Sequence, residues 1–198
     1  PEQYGDYFAW GETQPKTVYD GSTYRYYNCD NDGYCGFTKY CNDADYGLNG
    51  FVDNLTILQP GDDAATANWG SGARTPTRQE WLELKQYTTQ QWTTYNGVFG
   101  MCFTGSNGNS IFLPASGRRW GSSLSSVGSD GFYWSSSLCT DSPDGVWGFY
   151  FYSFYYYVYY YYRFDGFPVR PVRLGSQNYP FSPHMPPRTH NCWQAGHA

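Results

Sequence analysis

The chain has few charged side chains and no long apolar run. Only 15% of its 198 residues are charged, and the formal net charge is −5. A protein that binds a nucleic-acid backbone needs a basic face that displaces counterions, and this composition does not provide one. No apolar stretch reaches the roughly 20 residues that a membrane-spanning helix needs. The composition therefore predicts no nucleic-acid partner and no insertion of this domain into a membrane.

Histidine is absent from most of the chain. All three histidines, His184, His190 and His197, lie in the final segment PFSPHMPPRTHNCWQAGHA. A Ser-His-Asp or Cys-His system needs an imidazole beside its nucleophile, and His-ligated metals need one as well. We therefore predict no catalytic residue, no cofactor and no metal site in the body of the chain, and we do not expect an enzyme.

Cysteine is present, but without a metal-binding or redox spacing. Cys29, Cys35 and Cys41 lie in NCDNDGYCGFTKYC, which matches no common zinc pattern and no C-x-x-C motif. This spacing favours one local disulfide, or free thiols near the surface, over a metal site. The Asp and Asn residues beside the glycines are typical of turns, and a structural calcium ion stays open as an alternative.

One helix is predicted in QPGDDAATANWG. Asp62 or Gly61 is expected to cap it, Asp63 suits its first turn, and Gly70 ends it. The alanines between these residues favour helix propagation.

A second helix is predicted in RTPTRQEWLELKQYT. Thr77 and Glu80 form an S/T-x-x-E capping box, so the helix begins just after Thr77. Trp81, Leu84 and Tyr87 recur at helical spacing and are expected to face the core.

Strands dominate the chain from Ser110 onward. The segments SIFLPA, GFYWSSSL, GVWGFYFYSF, VYYYYRF and FPVRPVR are the expected strands. Period-two alternation in the third segment places Trp147, Phe149 and Phe151 on one face and Gly148, Tyr150 and Tyr152 on the other. Two helices followed by strands predict an α+β fold with antiparallel strands.

The end of the chain differs from the rest. Residues 175–198 are rich in Pro, Ser, His and Asn and have no periodicity, so we expect a tail that is disordered or foreign to the domain. Residues 1–174 are then expected to form a single domain. The chain begins with Pro1 rather than Met, so we expect a fragment whose signal peptide or anchor, if it has one, lies upstream.

Aromatic residues are in excess, at 22% of the chain, and they concentrate between Gly148 and Gly166 in GFYFYSFYYYVYYYYRFDG. One interpretation is a buried or self-associating strand of high β-propensity. The other is a displayed binding surface, because tyrosine gives a large and rather rigid amphipathic contact. The glycine-punctuated segments around the run favour display.

Several segments follow one another in the order that they have in a known family. They are YGDYFAWGET (4–13), DDAATANWG (62–70), RTPTRQEWLEL (74–84), NGNSIFLPASGRR (107–119), GFYWSSS (131–137) and GFPVRPVR (166–173). Together they resemble C-type-lectin-fold proteins related to the formylglycine-generating enzyme. Within that group they look most like the variable proteins of diversity-generating retroelements in bacteria and phages. The resemblance implies a C-type lectin fold and an extracellular or cell-surface receptor or adhesin, or a phage tail-fibre protein.

The resemblance also implies how the aromatic run arises. In these proteins, mutagenesis of template adenines converts AAC codons into codons for Tyr, Phe, Asp, Ser and Gly, the residue types that supply most of the run. Trp147, Phe149, Phe151, Val158 and Arg163 then look like a fixed scaffold. The residues expected to bind a protein or surface ligand are Gly148, Tyr150, Tyr152, Phe154, Tyr155, Tyr157, Tyr159, Tyr160, Tyr161, Tyr162, Phe164 and Asp165. Tyr160, Tyr162 and Phe164 are expected to be shared between the exposed patch and the interior.

Two alternative functions stay open at this point. One is an enzyme of the formylglycine-generating type, which a matched thiol pair in the C-terminal half would indicate. Cys102 and Cys139 lie in the body outside the N-terminal cluster, and neither matches that arrangement. The other is a self-associating structural surface subunit, in which the tyrosine run would be an assembly strand.

Overall fold

The computed structural model describes residues 2–173. Over these residues the chain has an α+β fold with two α-helices, α1 (Ala64–Trp69) and α2 (Arg78–Tyr87). Short 3-10 turns occur at Gly21–Thr23, Leu48–Gly50 and Pro60–Asp62. The tail predicted over residues 175–198 lies outside the described residues.

Twelve strands are found in the described part of the chain. Their bounds are β1 (Tyr27–Cys29), β2 (Cys35–Phe37), β3 (Ala73–Arg74), β4 (Thr88–Tyr95), β5 (Val98–Gly105), β6 (Ser110–Pro114), β7 (Ser116–Trp120), β8 (Ser123–Val127), β9 (Asp130–Leu138), β10 (Gly145–Tyr152), β11 (Tyr155–Tyr162) and β12 (Val172–Arg173).

The strands form a curled five-stranded sheet and three smaller sheets. The large sheet has the order β11-β10-β9-β7-β8, so that β11 is an edge strand. The smaller sheets are β4-β5-β6, β1-β2 and β12-β3. All pairings are antiparallel except that of β7 with β9, which meet in parallel at Gly117 and Gly131.

Helix α1 begins one residue later than the prediction allows. Its N-cap is Asp63, whose carboxylate accepts the N–H of Ala65 at 3.0 Å, so the prediction of Asp62 or Gly61 as the cap is wrong. The Asp62 carboxylate does not cap the helix, because it accepts hydrogen bonds from the hydroxyls of Tyr26 and Tyr40, each at 2.7 Å. The predicted stop at Gly70 is confirmed.

Helix α2 begins with the predicted capping box. The Thr77 hydroxyl accepts the N–H of Glu80 at 3.2 Å, and the Glu80 carboxylate accepts the N–H of Thr77 at 2.8 Å. Hydrogen bonds from the guanidinium of Arg74 at 2.6 and 2.7 Å lower the pKa of Glu80 to about 2. Trp81 is buried as predicted, but Tyr87 is 66% exposed because α2 ends there and the chain continues into β4.

The predicted strands of the second half are present, with different ends for the last two. Strand β11 starts at Tyr155 rather than Val158, because Tyr152 pairs with Tyr155 and closes a tight hairpin. In FPVRPVR only Val172–Arg173 form a strand, while Phe167 makes a single bridge to Phe8.

Within residues 2–173 the core has two clusters of buried side chains. The first includes Trp10, Phe132, Trp134 and Phe167, with Tyr150 and Tyr161 packed against it. The second is centred on Trp81, Phe103, Phe149 and Phe151, with Tyr156 and Val158 packed against it. The hairpin of β10 and β11 therefore contacts one cluster with each of its faces.

Candidate functional site: the tyrosine hairpin and its clefts

One face of the β10-β11 hairpin supplies fully buried side chains to the second core cluster. Phe149 and Phe151 are fully buried, as the alternation predicts. The ring of Phe149 stacks on Trp81 of α2 with a centroid distance of 4.9 Å. Their cross-strand partners on β11, Val158 and Tyr156, pack against the same cluster. We call this side of the hairpin the scaffold face.

The opposite side carries a continuous layer of tyrosine rings, which we call the tyrosine face. Its members are Tyr150, Tyr152, Tyr155, Tyr157, Tyr159 and Tyr161. Neighbouring ring centroids lie 4.9 Å apart for Tyr150 and Tyr157, 5.6 Å for Tyr152 and Tyr155, and 5.9 Å for Tyr159 and Tyr161. These distances are within the range of favourable aromatic pairs.

The tyrosine face has an inner and an outer part. Tyr150 and Tyr161 are half-buried against Phe132, at centroid distances of 4.7 and 5.8 Å. Tyr155 and Tyr159 are 62% and 49% exposed. The inner rings thus support the outer rings, which face solvent.

The tip and the far end of the hairpin add further exposed rings. Phe154, in the turn between the strands, is 83% exposed. Tyr160 and Tyr162 alternate onto the scaffold side of β11, and both are exposed. Tyr160 contacts Trp147 edge-on at 6.1 Å, and Tyr162 stacks on the half-buried Phe164 at 5.1 Å.

Two residues expected on the exposed patch are buried instead. Gly148 lies under the ring of Tyr161, where a Cβ atom would be 3.2 Å from that ring. Asp165 is only 3% exposed, because the chain turns inward after β11 and the N–H of Asp165 donates to the carbonyl of Tyr162 at 3.0 Å. The expectation that both lie on the surface is therefore wrong.

Two clefts flank Tyr162 at the end of β11. The first has a volume of about 380 Å³ and lies between Tyr162, Phe164 and the β1-β2 hairpin, with Tyr27 in its wall. The second has a volume of about 360 Å³ and contains Asp165, so we call it the Asp165 cleft. Its other main lining residues are Arg118, Asp144, Tyr159, Tyr160, Tyr161 and Tyr162.

Sequence reasoning missed Arg118 and Asp144. Arg118 comes from β7, and Asp144 from the turn before β10. The two side chains come close to the end of β11 only when the strands are assembled into the sheet. The turn-like TDSPDG marks a loop at Asp144, but no local signal indicates that the loop borders a cleft.

Arg163 fixes the backbone between β11 and Asp165. Its side chain is fully buried and donates to the carbonyls of Lys39, Tyr40 and Pro143 at 2.7, 3.0 and 2.9 Å, and to the hydroxyl of Tyr24 at 3.1 Å. These bonds join the end of β11 to the loops on both sides of the clefts. Arg163 thus belongs to the scaffold, as expected.

The cysteines match the local disulfide prediction. Cys29 and Cys35 form a disulfide that joins β1 to β2. Cys41 and Cys139 are free thiols, and burial raises the pKa of both. Within residues 2–173 no group of three or more His, Cys, Asp or Glu side chains is placed to hold a metal ion.

One comparison with known proteins found a match, which covers slightly less than half of the chain. Residues 77–172 match a family described as a Domain of unknown function (DUF8237). The matched segment runs from the cap of α2 into β12, and it therefore includes the tyrosine face, Arg163 and Asp165. No curated protein and no solved structure matches the chain. No helix in the described part of the chain is long and apolar enough to cross a membrane.

Proposed function

We propose that residues 1–174 form a hypervariable ligand-binding domain of the C-type lectin fold, whose tyrosine-rich surface is produced by retroelement mutagenesis. The main support for this proposal is that the two faces of one hairpin differ in role: one packs in the core, and the other exposes aromatic rings. Buried Phe149 and Phe151 alternate with Tyr150 and Tyr152, and β11 adds an exposed outer row of tyrosines. A surface of this kind can change its outer residues while its core stays constant.

The residue types at the outer positions support diversification. Tyr and Phe fill nearly all of them, and both arise from AAC codons by replacement of adenines. Trp147, just before the run, cannot arise from AAC by replacement of adenines, because its codon TGG ends in G. Val158 and Arg163 are assigned to the scaffold by their packing, since Val158 packs against the core and Arg163 is fully buried. A near-repeat of the coding sequence for residues 134–173, rich in AAC codons and adjacent to a reverse transcriptase gene, is the genomic observation that tests this origin.

An extracellular or cell-surface location fits this function. The Cys29–Cys35 disulfide is of a kind that persists in oxidising compartments. The proposed ligand is accordingly a protein or another surface component that the domain meets outside the cell.

The ligand-binding proposal predicts that outer tyrosines bind without being needed for folding. Tyr155, Tyr157 and Tyr159 are all at least 39% exposed. Replacing all three with serine is expected to lower the free energy of unfolding by only about 1–2 kcal/mol in total, because exposed cross-strand pairs contribute little. Peptides selected from a displayed library on the parent domain are expected to lose about 30-fold or more in affinity, as for hot-spot tyrosines.

A matched control uses aromatic residues with similar exposure at other places. Tyr87, Phe99 and Trp120 are at least 49% exposed and lie outside the hairpin. Their triple serine variant is expected to keep the selected peptides. Equal loss of peptides by both variants, or unfolding of the hairpin variant, would show that the tyrosine face is not a specific binding surface.

We also propose that the domain is not an enzyme of the formylglycine-generating type. The thiols of Cys41 and Cys139 are buried, and burial favours their unreactive protonated form. A sulfatase peptide that contains a thiol is expected to lose that thiol at the same rate with and without the protein. Catalytic loss of the thiol that disappears in a Cys139→Ala variant would contradict this proposal.

Self-association is a second candidate function, because β11 is an edge strand with exposed tyrosines. Unpaired strand edges are templates for pairing with another chain. Sedimentation equilibrium distinguishes the two functions. A monomer at tens of micromolar favours ligand display, whereas a concentration-dependent assembly that the triple serine variant abolishes favours self-association.

A further inference from the structure

The Asp165 cleft contains a buried carboxylate that is not satisfied by the residues around it. Asp165 is 3% exposed, and its Oδ1 accepts no hydrogen bond from any residue in the described part of the chain. Its Oδ2 lies 3.7 Å from a guanidinium nitrogen of Arg118, which is too long for a good hydrogen bond. Oδ1 itself is closed off from solvent, whereas the Asp165 side chain lines the cleft. A buried polar atom without a partner is costly, so a rotation of the carboxylate that turns Oδ1 toward the cleft would be stabilised by a donor from outside the protein.

The charges around the cleft favour a cationic donor. Among the described residues, Asp165 and Asp144 contribute two carboxylates to the lining of the cleft, and Arg118 contributes one guanidinium. The Arg118 side chain is 36% exposed, so water screens part of its charge. The carboxylates are therefore only partly neutralised.

The walls of the cleft favour a cation that is attached to a carbon chain. Tyr159 and Tyr160 stack on each other with centroids 4.7 Å apart, and Tyr161 and Tyr162 complete the aromatic wall. The faces of aromatic rings attract cations and also pack against methylene groups. A volume of about 360 Å³ is large enough for a single extended side chain.

The number of free carboxylate oxygens on Asp165 distinguishes between a guanidinium and a primary ammonium as the bound cation. A guanidinium binds best to both oxygens of a carboxylate, in a bidentate geometry. Arg118 already lies on the Oδ2 side of Asp165, which leaves Oδ1 alone. One acceptor suits a primary ammonium, whose donors can each take a separate partner.

We propose that the Asp165 cleft binds a primary ammonium group on a carbon chain, such as the side chain of a lysine in a protein ligand. On binding, the Asp165 carboxylate rotates so that Oδ1 accepts a hydrogen bond from the ammonium, and the tyrosines from Tyr159 to Tyr162 pack on its methylene groups. This inference rests on the proposed ligand-binding function and names the ligand chemistry of one part of the surface.

The protonation state of Asp165 makes this binding depend on pH. Burial raises the pKa of Asp165 to about 7, and the nearby Arg118 only partly opposes this rise. Among the described residues, the other charged and titratable groups that line the cleft are Arg118, Asp144 and the phenols of Tyr159 to Tyr162. The pKa of Tyr161 is raised by burial and that of Tyr160 by a hydrogen bond with Tyr159, so neither ionises near pH 7. Ammonium binding should therefore weaken as pH falls from 8 to 6.

The test uses n-butylammonium as the probe and NMR of the labelled protein as the readout. Saturable shifts of the backbone amides of residues 159–165 are expected at millimolar probe concentrations. The Asp165 carboxyl, followed by its 13C shift, is expected to titrate at lower pH when the probe is present, because the bound cation stabilises the carboxylate. n-Butanol, which has the same length without the charge, is expected to bind about tenfold or more weakly.

Two variants complete the design. Asp165→Asn is expected to weaken n-butylammonium binding about tenfold or more, while Asp141→Asn, which removes an exposed carboxylate outside the cleft, leaves it unchanged. Absence of saturable shifts, equal binding of n-butanol, or an Asp165 titration that the probe does not move would each overturn the inference. The titration uses the unaltered protein, so it decides the inference even if Asp165→Asn does not fold. Failure here leaves the peptide selection on the tyrosine face unaffected, so the two proposals can fail separately.

Discussion

Replacing Phe151 with alanine is expected to lower the free energy of unfolding by about 3–5 kcal/mol. The side chain is fully buried, and its ring stacks on Tyr133 with a centroid distance of 6.1 Å. The close fit also involves Gly131, because a Cβ atom at that residue would lie 2.1 Å from the Phe151 ring. Alanine would leave a cavity that these neighbours cannot fill without moving the strands.

Urea unfolding checks this expectation, with Tyr155→Ala as the matched control. Tyr155 lies on the same hairpin and is 62% exposed, so its loss is expected to cost about 1 kcal/mol or less. Since domains of this kind are stable by only about 5–15 kcal/mol, the Phe151 variant should be strongly destabilised or unfolded. Similar costs for the two variants would mean that the faces of the hairpin do not have separate roles.

The comparison between Phe151 and Tyr155 also shows what sequence alone could predict. Period-two alternation assigns Phe149 and Phe151 to one face correctly, because that pattern depends only on the geometry of an extended strand. The capping box of α2 is predictable for the same reason, since Thr77 and Glu80 contact each other within one helical turn. Local geometry was sufficient in both cases.

The exposure of individual residues in the run was less predictable. Alternation places Gly148 opposite the core phenylalanines, yet it is buried, because the Tyr161 ring on the neighbouring strand covers it. Tyr160 faces the scaffold side and is nevertheless exposed. In both cases the burial depends on what packs above the strand, and a period of two residues does not contain that information.

The clefts could not be predicted from local sequence. The Asp165 cleft combines β7, the turn before β10 and the end of β11, which become neighbours only when the sheet is assembled. Asp165 itself was expected on the surface as one of the variable residues. Its burial changes its role, since a diversified residue there would alter the chemistry of a cleft rather than the outline of an exposed patch.

Replacing Arg163 with methionine is expected to have the other large effect, a loss of at least about 3 kcal/mol in the free energy of unfolding. Methionine has a similar length but cannot donate to the carbonyls of Lys39, Tyr40 and Pro143, which Arg163 now satisfies. It also loses the cation–π contact of the guanidinium with Phe37, at 4.2 Å from the ring centroid.

Arg163→Lys is the control that separates charge from geometry. Lysine keeps the positive charge, but its single ammonium cannot reach all of the acceptors that lie around the edge of the planar guanidinium. We therefore expect the lysine variant to be less stable than the wild type and more stable than the methionine variant. Urea unfolding measures all three proteins, and near-ultraviolet circular dichroism reports the tyrosine environments. A methionine variant within about 1 kcal/mol of the wild type would show that the loops beside the clefts are held without Arg163. The expected order, wild type above lysine above methionine, would instead identify the buried guanidinium as the group that holds the end of β11, and with it Asp165, in place.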